Sequence, residues 1–101
     1  MKIELQNNEL DKEIEKGLVL VDFFATWCGP CRMQSGVLDE VIEETKIKLV
    51  KIDVDKNEIV AKQYGIMSIP TIILFKDGIV LEKRVGLTSK EQLIKLIEEN
   101  K

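Results

Sequence analysis

No histidine occurs in this chain, and cysteine occurs only twice, at Cys28 and Cys31. A closed zinc site takes four ligands, usually Cys or His, so these two thiols cannot complete one within the chain. Long apolar runs are missing too. The longest, Leu18-Val19-Leu20-Val21 and the equally long Ile72-Ile73-Leu74-Phe75, fall far short of the roughly 20 residues that span a bilayer. The first residues, Met1-Lys2-Ile3-Glu4, hold no apolar signal-peptide segment. As it stands the chain reads as leaderless, so the expected setting is the cytoplasm, without membrane association. Thiols are normally kept reduced there, which makes a structural disulfide a poor expectation. Net charge is −3, with Lys and Glu interspersed rather than gathered into a basic stripe, so nucleic acid is not an expected ligand. No repeat, low-complexity tract or Pro/Ser-rich linker interrupts the 101 residues. That length suits one domain over residues 1–101, large enough to bury a core without staples, and monomer is the default.

What is present alternates in type. Lys2–Leu5 suits a short strand. Asn8–Lys16 suits a weak helix, apolar only at Leu10 and Ile14, with Gly17 just past its end. Val19–Phe24 suits a strand whose two faces, Val19/Val21/Phe23 and Leu20/Asp22/Phe24, are both apolar except at Asp22. That is the pattern of a central strand covered on both sides. A helix starts at or just before Cys31, with Val37, Leu38, Val41 and Ile42 at helical spacing. Leu49–Val54 is a further strand, and Asn57–Tyr64 a short helix ended by Gly65. Thr71–Lys76 and Ile79–Val85 are strands joined by Asp77-Gly78, a strong signal for an antiparallel hairpin. The last helix begins near Ser89, where Thr88/Glu91 or Ser89/Gln92 supplies a capping box, and it buries Leu93, Ile94, Leu96 and Ile97. The resulting order β-α-β-α-β-α-β-β-α is an α/β arrangement, parallel early and antiparallel late.

The pentapeptide Trp27-Cys28-Gly29-Pro30-Cys31 is where chemistry concentrates. A thiol acts as a nucleophile only as thiolate, and an ordinary cysteine has a pKa of roughly 8.5. At the mouth of a helix, unpaired N–H groups and the helix dipole favour negative charge and lower that value. Pro30 fits the first helical turn, where its missing N–H has no intrahelical partner in any case. Gly29 and Pro30 thus make a tight, preset turn into the helix. Cys31 lies one turn inside, behind a more exposed Cys28, so the pair can close and reopen a disulfide. A disulfide with a purely structural role would close too small a loop to stabilise much.

Four stretches, "VDFFATWCGPC", "KIDVDKN", "YGIMSIPTIILFKDG" and "VGLTSKEQL", are similar in order to segments of the thioredoxin family. They extend over nearly the whole chain, and WCGPC is the family's own form of the motif. The resemblance implies a thioredoxin fold: a three-layer α/β/α sandwich around a central mixed five-stranded sheet. It implies protein-disulfide reductase activity through a Cys28–Cys31 dithiol–disulfide cycle. It also implies disulfide-containing target proteins, a thioredoxin reductase as electron source, and no cofactor or metal. Cys28 would be the attacking thiolate and Cys31 the resolving one.

Further residues acquire expectations. Asp22 should be buried with a raised pKa. In the family the matching Asp serves, through water, as general base for the second cysteine. Lys51 stands where the family has a lysine near that Asp; the alternative is a solvated strand residue. Base rates favour a trans bond at Ile69-Pro70. The resemblance of "SIPT" to the family's cis-proline loop reverses that expectation, and the Ile69 backbone would pair with substrate as a short strand. Trp27 suits a flat contact surface for substrate, and Gly86 a small residue in the substrate groove. Two departures stand out. Phe24 replaces a tryptophan that many members carry, and Gly36 replaces a helix-kinking proline. Two rival functions share these features: a disulfide oxidase or isomerase of the same fold, and a binding subunit that ignores redox state.

Overall fold

The computed structural model describes residues 1–101. Along the chain run β1 (Lys2–Glu4), α1 (Asp11–Ile14), β2 (Leu18–Phe24), α2 (Gly29–Thr45), β3 (Lys48–Asp53), α3 (Glu58–Gln63), β4 (Thr71–Lys76), β5 (Ile79–Val85) and α4 (Lys90–Glu99). The element order is the one the sequence pattern indicates. The strands form one sheet in the order β1-β3-β2-β4-β5. The β1–β3 and β3–β2 pairs are parallel, and the β2–β4 and β4–β5 pairs antiparallel.

Alternation along β2 builds two cores. Val19, Val21 and Phe23 face Val50, Ile52, Ile73 and Phe75, covered by Leu10 and Ile14 near α1 and by Val60 of α3. Leu20 faces the other way with Leu49, Ile72 and Leu74, covered by Leu38 and Val41 of α2 and by Leu93 and Ile97 of α4. The three-layer sandwich follows directly, since each sheet face is apolar and each needs helices over it. Asp22 lies in register with Lys51 of β3 and Ile72 of β4, on the face beneath α2.

Some boundaries differ from the sequence expectation. The first helix shrinks from Asn8–Lys16 to Asp11–Ile14. Asn8 is drawn instead into a long-range exchange: its N–H donates to Asn57 Oδ1 at 2.9 Å, and its Oδ1 accepts from the Val60 N–H at 3.0 Å. Asn8 also takes a positive φ of 58°, incompatible with a continuing right-handed helix. Of the two capping boxes, Ser89/Gln92 is the one formed. Helix α2 runs unbroken through Gly36, and a methyl group added there would meet nothing within 4 Å. Gln34, fully buried, ties α2 to the start of α4: its Nε2 donates to Thr88 O at 3.0 Å, and its Oε1 accepts from Thr88 N–H at 2.8 Å.

Candidate active site

Strand β2 delivers the chain to the top of the sheet, and α2 begins where it arrives. Cys28 is the N-cap residue of α2, with extended φ −91° and ψ 111°, and Pro30 lies in the first turn. The Cys31 N–H donates to Cys28 Sγ at 3.2 Å, so sulfur occupies the place usually held by a capping oxygen. No acidic residue sits in that first turn to oppose a negative charge. Cys28 and Cys31 are joined as a disulfide with Cα atoms 5.3 Å apart. Their residue exposures are 5% and 2%, a smaller contrast than sequence position alone indicates. The difference between them lies in surroundings. Cys28 faces a neighbouring loop, its Sγ 4.0 Å from Ile69 O, whereas Cys31 sits within the first turn of the helix.

That neighbouring loop is Ser68-Ile69-Pro70, and the Ile69–Pro70 bond is cis. Thr71 Oγ1 donates to Ser68 O at 2.7 Å and braces it from one side. The Gly86 N–H donates to Pro70 O at 2.8 Å and braces it from the other. Gly86 has φ +88°, which disfavours any side chain, and the space above it is open. Trp27, 69% exposed, lies on the other flank with its indole N–H donating to Asp55 Oδ2 at 2.9 Å. Trp27, Val54, Ile66, Met67 and Ile69 line a shallow apolar groove. Met67 is almost fully exposed there, and neither it nor Asp55 stood out in the sequence.

Below the disulfide layer, Asp22 has no exposed surface. Burial pushes its carboxyl up from 3.8 to about 6, and the nearby Lys51 charge works in the opposite sense. Lys51 Nζ lies 3.5 Å from Oδ2, and neither carboxylate oxygen has a hydrogen-bond partner. The solvated alternative for Lys51 is set aside by its surroundings. Its side chain is mostly buried, its Nζ donates to Ser35 Oγ at 2.8 Å, and it sits 4.6 Å above the Phe24 ring centroid. Phe24 thus offers an aromatic face to a buried cation. The structure brings Asp22, Lys51, Cys28 and Cys31 to one end of β2, and Trp27, Ile69, Pro70 and Gly86 to the rim around it.

Two cysteines in disulfide contact at a helix mouth, beside a cis-proline loop on a five-stranded mixed sheet, define a thiol–disulfide oxidoreductase. The thioredoxin family model matches residues 1–99. The chain is 48% identical over 101 residues to a thioredoxin of Chlamydia muridarum (strain MoPn / Nigg), covering 99% of this chain and 98% of that one. It is 45% identical over 100 residues to a thioredoxin of Bacillus subtilis (strain 168), covering 97% and 96%. A solved structure of a mutant thioredoxin from Halobacterium salinarum NRC-1 superposes with a TM-score of 0.90 at 40% identity, over 98% of this chain and 89% of that chain. The chain belongs to the thioredoxin family. Its activity is that of a protein-disulfide reductase, with disulfide-containing proteins as targets and a reductase to restore the dithiol. No helix is long and apolar enough to cross a membrane.

Proposed function

We propose that Cys28 is the attacking thiolate and Cys31 the resolving thiol, with Asp22 as the base that accepts the Cys31 proton. The observation that carries this assignment is the N-cap position of Cys28. Its sulfur already accepts the Cys31 N–H at 3.2 Å at a helix N-terminus free of acidic neighbours. A thiolate there gains the Cys31 N–H hydrogen bond and lies at the very end of the helix dipole, whereas the Cys31 sulfur receives no such donor.

The cycle then balances as follows. Cys28 thiolate attacks one sulfur of a substrate disulfide, and the other sulfur leaves as thiolate and takes a proton. Cys31 gives its proton to the Asp22 carboxylate through water and attacks Cys28 Sγ. The mixed disulfide breaks, the second substrate thiol is released, and two electrons have passed to the substrate. Gly29 and Pro30 hold the helix start that sets the thiolate's stability, and Lys51 holds the charge beside the base. Trp27, Ile69, Pro70 and Gly86 receive the substrate segment, whose backbone pairs with that of Ile69 as a short added strand. A thioredoxin reductase supplies the electrons. The same reading has the protein act as a cytoplasmic monomer, away from membranes and nucleic acids.

Substituting each cysteine separately tests the order of attack. Cys31→Ser should accumulate a covalent complex with disulfide-containing target proteins, seen by non-reducing electrophoresis, and Cys28→Ser should accumulate none. A complex formed by Cys28→Ser but not by Cys31→Ser reverses the assignment.

A further inference from the structure

The hydroxyl of Ser35 has no part in the cycle above, yet it makes the closest polar contact to the one charged group beside the base. Ser35 lies on α2, one turn beyond Cys31, and is half-buried. Lys51 Nζ donates to its Oγ at 2.8 Å, while the nearest Asp22 oxygen is 3.5 Å from the same nitrogen. Asp22 is left with two buried oxygens and no hydrogen-bond partner. We infer that Ser35 is a positioning residue, which holds the Lys51 ammonium back from Asp22 and so keeps that carboxylate a proton acceptor. The inference rests on the reading of Asp22 as the base for Cys31.

The groups facing Asp22 are few. Lys51 comes from β3 and Ile72 from β4, and of the two only Lys51 carries charge. From α2, Ser35 reaches the Lys51 ammonium, and on the far side of β3 the exposed Glu4 of β1 lies in register with Lys51. The ammonium is held on three sides: by Ser35, by the Phe24 ring at 4.6 Å, and by the carboxylate. Removing the hydroxyl leaves the Asp22 carboxylate, 3.5 Å away, as the one group with which Lys51 forms an ion pair; Glu4, in register on β1, makes none with it. A shift of Nζ from 3.5 Å to ordinary hydrogen-bond distance strengthens attraction for the ionised carboxylate. At the effective dielectric of protein sites, that corresponds to a roughly tenfold loss of proton affinity. A carboxylate held that tightly would be a weaker base for the Cys31 thiol.

The test is a carboxyl-carbon NMR titration of Asp22 in the oxidised protein, comparing wild type, Ser35→Ala and Ser35→Thr. The expected result is a midpoint lowered in Ser35→Ala, with roughly tenfold weaker proton affinity, and restored in Ser35→Thr, which returns a hydroxyl. The acid limb of the turnover profile should move to lower pH alongside it. An unmoved midpoint, or one that rises, overturns the role given to Ser35. Turnover of Asp22→Asn separates the two layers. If Asp22→Asn turns over normally while Ser35→Ala still lowers the midpoint, the base assignment fails and the Ser35 contact stands. If Asp22→Asn is slow and the midpoint stays put in Ser35→Ala, the Ser35 inference fails alone.

Discussion

Asp22→Asn should make the protein more stable at neutral pH while slowing its turnover. The carboxyl has no exposed surface, and burial raises it from 3.8 to about 6. A raised folded-state pKa means that the native state binds the proton more tightly than the unfolded chain. Below about 3.8 both states are protonated and nothing is lost. Between 3.8 and about 6 the unfolded chain ionises first, and stability falls. Above about 6 the loss is complete. The gap corresponds to about 3 kcal/mol, at roughly 1.4 kcal/mol per pH unit. Asparagine matches the protonated acid in shape and cannot ionise, so the variant escapes the loss. Urea melts of the oxidised proteins, followed by far-ultraviolet circular dichroism from about pH 4 to about pH 8, read the difference directly. The variant's advantage should grow through that interval and level off on the order of 3 kcal/mol. An advantage of the same size at every pH, or none at the alkaline end, would refute the argument that Asp22 ionises inside the fold.

Gly36→Ala should stabilise the protein by about 1 kcal/mol in the same melts, because the helix is continuous there and the added methyl group meets open space. A loss instead would mean that the backbone at Gly36 departs from a regular helix. Gln34→Ala should cost about 2–4 kcal/mol, since it strands the buried Thr88 N–H and C=O that the amide now satisfies. Asp55→Ala should leave stability within about 0.5 kcal/mol of wild type, as for a surface substitution. It frees the exposed Trp27 indole from its anchor, so KM for a protein disulfide should rise roughly 2–10-fold, while a small aromatic disulfide is reduced as before. Equal effects on both substrates would place the anchor's role at the sulfurs rather than at the groove.

What the sequence made legible were features whose signal is local. The two-faced apolar pattern of β2 indicates a central strand, Asp77-Gly78 indicates the hairpin, and Ser89 with Gln92 indicates the last helix start. The Cys-Gly-Pro-Cys spacing indicates a thiol at a helix mouth, and Cys28 is the N-cap. What stayed hidden were polar side chains whose partners lie far along the chain. Gln34 and Ser35, within "MQSG", look like an ordinary solvated helix face, yet one reaches Thr88 and the other Lys51. Asn8 looks like a helix residue until Asn57 claims its N–H. Asp55 looks like a loop acid until the fold sets it beside Trp27. In each case the donor and acceptor are separated by 16 to 54 residues, and only the sheet order brings them together. Asp22 belongs to neither class. Its position breaks the apolar pattern of its own strand, so the sequence marks it without its partners being known. A residue that violates the local rule and is still buried must carry a cost, and an uncompensated cost of that kind gathers at functional sites. The unpartnered oxygens of Asp22, paired in register with Lys51 whose ammonium is held by Ser35 of α2, are the observation on which the base role proposed for it stands.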